Sequence, residues 1–212
     1  MKFYRVLVTV ASLACSMMST ACTIHTRPFI DSSGQRIPGS IAMMADPSIG
    51  GVEQRLWFRG VSVDQPAVIL LHGGPGASEA ALFRHFNADL ERAFLMIYWE
   101  QRGAGRSYRR SIPPESMTID QFVRDLDEVV ELVRRRFHKD RVVLLGHSWG
   151  SAIGLLYAAR HPEKVAAYVG IGQVADMPEG ERLSYEFALA EARERGHRDG
   201  MRVLLGVGGA AR

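Results

Sequence analysis

Residues 142–150 read VVLLGHSWG, and this stretch decides the fold of a 212-residue chain. A short, continuous apolar run, VVLL, leads into a Gly-x-Ser-x-Gly turn, and a helical segment follows until Pro162 closes it. Such a run is typical of a strand that is covered on both faces in a parallel sheet. A serine on so tight a strand-to-helix turn is held up at the carboxyl edge of the sheet. The sequence therefore predicts that Ser148 is a nucleophile.

The two glycines that flank this serine, Gly146 and Gly150, have a steric purpose. Because the turn strains the backbone of Ser148, larger residues at these positions would collide with their surroundings. The helix after the turn aims its N-terminal N–H groups at the oxyanion that forms on attack. The alternative, a glycine-flanked turn with an incidental serine, does not account for the strand before the turn and the helix after it.

A second glycine-rich turn, HGGPG at residues 72–76, directly follows another buried run, AVILL at residues 67–71. An oxyanion hole needs two N–H donors about 2.7–3.1 Å from the developing charge. We expect one donor from the backbone of Trp149, the residue after the nucleophile, and the other from Gly74, which we prefer to Gly73. Glycine lets a loop backbone approach a substrate without a side-chain collision.

Strands and amphipathic helices alternate along the chain. The predicted strands are 52–61, 67–71, 94–99, 142–145 and 165–171, and the predicted helices are 79–92, 119–137, 149–161 and 180–194. Thr118 and Gln121 form a capping-box pair at the start of the clearest helix. This alternation predicts an α/β domain with a doubly wound, mostly parallel sheet.

Three motifs occur in order: HGGPG, then WEQRGAGRS at residues 99–107, then GHSWGS at residues 146–151. Together they resemble the proline iminopeptidase (prolyl aminopeptidase) family of α/β-hydrolases, and the likeness covers about residues 51–173. The resemblance implies an α/β-hydrolase fold and cleavage of an N-terminal proline or similar small residue from peptides. It also implies that Ser148 is the nucleophile, with its oxyanion donors as assigned above.

The resemblance gives other motif residues supporting roles in the active-site loops: His72, Gly73, Glu100, Arg102, Gly146, His147 and Gly150. Glu100 stands where the family usually has aspartate. Because the family's reaction assigns proton transfer to other residues, we expect Glu100 and Arg102 to brace these loops.

The acid and the histidine of a catalytic triad are not evident. In α/β-hydrolases the triad follows the order Ser, then Asp or Glu, then His. After Ser148 the only histidines are His161, at a helix end, and His197, in a charged segment. We therefore expect the N-terminal part of a hydrolase, truncated at its C-terminus, with the beginning of a helical cap. An unassisted serine is a weak nucleophile, so this chain alone should be poorly folded and nearly inactive.

Two other functions stay open. One is an ester or amide hydrolase of the same fold, and the other is a non-catalytic remnant or binding module. An aspartyl nucleophile, as in dehalogenases and epoxide hydrolases, is disfavoured because the turn carries Ser148.

The chain divides into four predicted parts: a signal peptide or lipoprotein signal (1–22), a linker and lead-in (23–51), the hydrolase core (52–175), and a partial cap with an irregular tail (176–212). The first part has a positive start, an apolar stretch and small residues before Cys22. Bacterial lipoproteins carry their lipid on such a cysteine, although Ser19 stands here where leucine is usual. Lipoprotein, plain secretion and a retained anchor all stay open. Each predicts an exported protein that is periplasmic, membrane-anchored through Cys22, or secreted.

Composition and charge indicate which classes of binding partner to expect. Apolar residues make up 47% of the chain and charged residues 23%, which is ordinary for a globular domain. The net charge of +3 is small, and the basic run near residues 134–141 suits a helix C-terminus. No aromatic platform accompanies that run, so we expect no nucleic-acid binding. We expect a small peptide or another acyl compound as substrate and no metal or cofactor. The sequence defines no oligomeric state.

Overall fold

The structure is a computed structural model, and it describes residues 26–210. In chain order the helices and strands of this part are β1 (Ile41–Ala45), β2 (Ser48–Ile49), β3 (Val52–Glu53), β4 (Leu56–Gly60), β5 (Ala67–Leu71), α1 (Ala80–Phe86), α2 (Leu90–Ala93), β6 (Leu95–Trp99), α3 (Ile119–Phe137), β7 (Val142–His147), α4 (Trp149–Arg160), β8 (Val165–Ile171), α5 (Met177–Glu194) and α6 (Arg198–Ala210). Six strands form the main sheet, while β2 and β3 form a separate antiparallel pair.

The main sheet has the strand order β1-β4-β6-β5-β7-β8. Strand β4 is antiparallel to both of its neighbours, and β6, β5, β7 and β8 run parallel to one another. Parallel neighbours need crossover connections, which the helices between these strands supply. The predicted α/β-hydrolase architecture with a mostly parallel sheet is confirmed.

Strand β5 shows why the apolar runs carry no alternation. Its residues Ala67, Ile69 and Leu71 pack in a core cluster with α3 and α4, whereas Val68 and Leu70 pack in a second cluster with α1 and α2. Because successive side chains point to opposite faces, a strand covered on both sides must be apolar throughout. This packing fixes the carboxyl ends of β5, β6 and β7 side by side, where the candidate site lies.

Helix α3 begins as predicted at Thr118, whose hydroxyl accepts a hydrogen bond from the Gln121 N–H at 3.2 Å. Only half of the capping box forms. The Gln121 amide donates to Asp125 at 2.7 Å instead of reaching back to Thr118. The helix ends at His138, which has a left-handed backbone with φ 52°.

Three predicted boundaries are wrong. The lead-in 23–51 contains β1, which forms the edge of the sheet, and also β2. The predicted strand 52–61 is divided into β3 and β4, and the predicted helix 79–92 is divided into α1 and α2. The sequence IAMMA of β1 carries a weak strand signal because alanine is depleted in strands. Pairing with β4 and burial of Ala42 and Met44 stabilise it.

The predicted irregular tail is also wrong as far as residue 210, because α6 continues through the glycine-rich segment. At the start of α6 the imidazole of His197 accepts a hydrogen bond from the Gly200 N–H at 2.9 Å. Helix α6 packs against α5. Every residue of α5 stays at least partly exposed, including Phe187, which is 68% exposed.

The far end of the sheet is open. Strand β8 pairs with β7, and within residues 26–210 no strand pairs with its other edge. Val169 and Ile171 of β8 are 46% and 43% exposed. Across the same residues, no helix has the length and apolar character that a membrane crossing requires. The predicted signal segment, residues 1–22, lies outside the described residues.

Candidate active site

Ser148 occupies the sharp turn between β7 and α4, with φ 50° and ψ −118°. A non-glycine residue at positive φ is strained, and such strain is concentrated at functional sites. The Ser148 N–H donates to the Ile171 carbonyl at 2.8 Å, which ties the turn to the end of β8.

The flanking glycines are required by close backbone contacts. A Cβ on Gly146 would lie 2.6 Å from the Gly150 carbonyl oxygen. A Cβ on Gly150 would overlap the carbonyl group of Leu71 in the neighbouring strand β5. The Gly-x-Ser-x-Gly spacing therefore follows from the packing of this turn against itself and against β5.

The HGGPG loop lies directly against the turn. A Cβ on Gly73 would be 3.2 Å from the Cβ of Ser148 and 3.2 Å from the Nδ1 of His147. Gly74 and Gly76 have φ values of 116° and 105°, which residues with a side chain rarely adopt. The structure thus brings together the two glycine-rich segments that the sequence singled out. The choice of Gly74 as the second oxyanion donor stays a prediction.

Gln101 links all three motifs, and the sequence did not identify it. Its amide nitrogen donates to the His72 carbonyl at 2.9 Å, and its amide oxygen accepts from the Trp149 indole N–H at 3.2 Å. Its backbone N–H donates to His72 Nε2 at 3.0 Å, so the proton of this imidazole is on Nδ1, which donates to the Gly73 carbonyl at 2.8 Å. Burial lowers the pKa of His72 below its ordinary value of 6.5.

A second link joins the start of α1 to the nucleophile turn. His147 Nδ1 and Glu79 Oε1 are hydrogen-bonded at 2.7 Å. Glu79 immediately precedes α1, and its other carboxylate oxygen is buried without a partner in the described part of the chain. The His147 ring is about two-fifths exposed, whereas Glu79 is largely covered.

Glu100 and Arg102 contact protein groups on all sides. Glu100 accepts hydrogen bonds from the Trp57 indole at 2.8 Å and from the Arg106 N–H at 2.5 Å. Arg102 makes a bidentate pair with Asp125, with both N–O distances 2.9 Å. The two side chains are buried, and these contacts hold the loop after β6 to its surroundings.

The sequence matches known proteins at both the family and the individual level. The family model described as "alpha/beta hydrolase fold" matches residues 66–195. The chain belongs to the α/β-hydrolase family. It is 39% identical over 147 residues to the probable aminopeptidase YbaC of Bacillus subtilis, covering 69% of this chain and 46% of that protein. It is 35% identical over 122 residues to the proline iminopeptidase of Neisseria gonorrhoeae, covering 57% and 37%.

Solved structures give the same result. The proline iminopeptidase-related protein of Thermus thermophilus superimposes on this α/β-hydrolase with a TM-score of 0.59 at 26% identity, over 77% of this chain and 55% of that one. An epoxide hydrolase of Vigna radiata, in mutant form, gives a TM-score of 0.51 at 27% identity, over 60% and 37%. The chain spans less than half the length of the two curated relatives named above.

No general base accompanies Ser148 in the described part of this α/β-hydrolase. Among residues 26–210 no imidazole is hydrogen-bonded to the Ser148 hydroxyl. His161 lies at the C-terminal end of α4, where its ring packs on Tyr157 with a centroid distance of 4.7 Å. His197 caps α6, as described above. The same residues contain no group of three His, Cys, Asp or Glu side chains that could hold a metal ion.

Proposed function

We propose that this α/β-hydrolase chain carries the nucleophile half of a serine hydrolase that transfers an acyl group to water through Ser148. The observation that carries the proposal is the backbone of Ser148, held at φ 50° between β7 and α4 with the HGGPG loop against its side chain. Strained backbone is concentrated at functional sites, and in a nucleophile turn the strained conformation presents the serine hydroxyl at the edge of the sheet.

The proposed chemistry follows from this placement. The Ser148 oxygen attacks the carbonyl carbon of the substrate, and the carbonyl oxygen becomes an oxyanion. The backbone N–H of Trp149, at the first position of α4, and that of Gly74 donate to it. The oxyanion then collapses, the bond between the carbonyl carbon and the leaving group breaks, and the amine or alcohol departs with the proton that the Ser148 hydroxyl lost. Water attacks the resulting acyl-enzyme, which releases the carboxylic acid as the second product and restores the Ser148 hydroxyl.

We expect proton transfer from the Ser148 hydroxyl to limit the rate of hydrolysis. Removing a triad member from a serine hydrolase lowers the rate by on the order of 10⁴–10⁶. Since no imidazole contacts this hydroxyl within residues 26–210, we expect hydrolysis by the 212-residue chain to be slower than that of a complete triad by about this factor.

For the substrate we propose peptides with an N-terminal proline or another small residue. The similarity to a protein named probable aminopeptidase and to several named proline iminopeptidase supports this class. Ester or amide hydrolysis on the same fold is the alternative. Proline anilide should therefore be cleaved faster than its N-acetylated form, because an aminopeptidase recognises the free terminus. Equal rates on both compounds would favour the alternative.

We also propose that the protein is exported through its N-terminal segment.

The nucleophile can be tested by activity-based labelling. The full chain is incubated with excess fluorophosphonate probe, and the modified residue is located by peptide mass spectrometry. With long incubation we expect the label on Ser148, formed slowly because no imidazole assists this hydroxyl in the described residues, and its loss in Ser148→Ala. Ser184→Ala is the matched control, because Ser184 is exposed in α5 and should not affect labelling. Equal labelling of the Ser148→Ala protein, or labelling of another serine alone, would contradict the proposal.

A further inference from the structure

We infer that Gln101 is a positioning residue that holds the two oxyanion-donor segments in a fixed relation to each other. The inference rests on the proposed function for its catalytic meaning. Gln101 makes no hydrogen bond to Ser148, so its role would be to position other groups.

The parallel strands bring the partners of Gln101 to one edge. Leu71 at the end of β5 is in register with Trp99 of β6 on one side and with Gly146 of β7 on the other. The residues that follow these three positions therefore leave the sheet side by side. Strand β5 lies between β6 and β7, so the HGGPG loop leaves the sheet beside Gln101, the second residue after β6. The Gln101 side chain contacts this loop at His72 and reaches Trp149 after the nucleophile turn.

Only an amide of this length meets both partners. The His72 carbonyl needs a donor and the Trp149 indole N–H needs an acceptor, and the Gln101 side chain offers one of each on a single planar group. A carboxylate cannot donate to the carbonyl, and an alkyl side chain can do neither. Gln101 is 1% exposed, so water has no ready access to replace either bond.

These two hydrogen bonds act on the backbone that is proposed to bind the oxyanion. The His72 carbonyl and the Gly73 N–H belong to one planar peptide unit, so a hydrogen bond to that carbonyl sets the direction of the chain entering the glycine loop. The indole bond orients Trp149, whose own N–H is the other proposed donor. Gln101 thus couples both sides of the proposed oxyanion hole through one side chain.

The test uses the indole N–H groups as reporters. All three tryptophans of the chain, Trp57, Trp99 and Trp149, donate an indole hydrogen bond to a side chain, so ¹⁵N spectra of the full chain give three signals to follow. In Gln101→Met we expect the Trp149 indole N–H to exchange about tenfold faster. The amides of Gly73 and Gly74 donate no hydrogen bond within residues 26–210, so the loop is followed by their chemical shifts, which should change in this variant. In Gln101→Glu, which keeps an acceptor, the Trp149 indole should stay protected while the signals of the loop amides shift.

Labelling of Ser148 by fluorophosphonate supplies the catalytic readout. We expect it to be about 10–100-fold slower in Gln101→Met, because small displacements of the donors have large effects on rate. Gln54→Met is the matched control. Gln54 is a second buried glutamine that accepts an indole N–H, from Trp99 at 2.9 Å, but its other partners are Ile49 and Asp125. Gln54→Met should leave the rate of Ser148 labelling within about twofold of that of the unchanged protein. We expect this even if Gln54→Met lowers the free energy of unfolding as much as Gln101→Met does.

The outcomes separate this inference from the proposed function. Unchanged exchange of the Trp149 indole N–H and unchanged chemical shifts of the glycine-loop amides in Gln101→Met would overturn the inference, as would equal slowing of labelling in Gln54→Met. Absence of Ser148 labelling in the unchanged protein would count against the proposed nucleophile. The exchange measurement would still decide whether Gln101 orders the two segments.

Discussion

Gly150 and Gly180 are two helical glycines in opposite surroundings. A Cβ at residue 150 would overlap the backbone of β5, whereas a Cβ at residue 180, in α5, would meet open space. The Gly-x-Ser-x-Gly turn could be predicted from the sequence because the collisions that demand glycine are local to this turn and its neighbouring strand. The roles of Gln101 and of the Glu79–His147 pair could not, since they depend on which strands become neighbours in the sheet.

Replacing these two glycines with alanine should therefore have opposite effects. We expect Gly150→Ala to lower the free energy of unfolding by about 1–3 kcal/mol, because the backbone of β5 must move. Gly180→Ala should raise it by about 0.5–1 kcal/mol, since alanine restricts the unfolded chain and suits the helix. Urea denaturation measures both. Equal changes in the two variants would contradict the proposed packing of the turn.

His72 gives a pH dependence with a definite sign. Burial lowers the pKa of His72, so below its ordinary value of 6.5 the unfolded chain binds more protons at this residue than the folded protein does. The contribution of His72 to the free energy of unfolding therefore decreases as the pH falls from about 6.5 to the lower folded-state pKa. In His72→Gln this dependence should be shallower. Parallel curves for the two proteins, from urea denaturation at several pH values, would contradict this assignment.

At the scale of elements, burial decides which predictions succeed. The runs that became β5, β6 and β7 are apolar on both faces, and their positions could be predicted closely. Strand β1 alternates between buried and partly buried residues and lies at the sheet edge, so its five residues gave too weak a signal. Helix α6 was missed because four glycines disfavour a helix locally, while packing on α5 supports it.

The start of α3 offers a test at this scale. Thr118→Ala removes the acceptor for the Gln121 N–H, and we expect it to lower the free energy of unfolding by about 1 kcal/mol. Thr118→Ser keeps the hydroxyl and is the matched control, with a change of a few tenths of a kcal/mol. Chemical denaturation of both variants gives the comparison. An alanine variant as stable as the serine variant would show that this cap contributes little.

At the scale of the whole molecule, burial is uneven across the sheet. Two apolar clusters cover both faces of β5 and β6, while β8 and α5 contain no fully buried residue. An exposed, apolar edge strand is a template for pairing with another chain. We therefore expect the 212-residue chain to self-associate through β8.

A charge on the edge strand should weaken this association. Val169→Lys places a lysine on β8, and light scattering as a function of concentration should show less self-association than in the unchanged protein. Val203→Lys is the matched control, because Val203 is similarly exposed but lies on α6. If the α6 substitution reduces association as much as the β8 substitution does, then general surface hydrophobicity, and not the strand edge, is the cause.

A crystal structure of the phosphonylated protein would show whether Ser148 presents its hydroxyl to backbone amides from two separate loops. The phosphonyl oxygen mimics the oxyanion of the acyl-transfer intermediate. We predict that it lies about 2.7–3.1 Å from the backbone nitrogens of both Trp149 and Gly74. A phosphonyl oxygen that points to solvent, with neither amide within hydrogen-bond distance, would contradict the account.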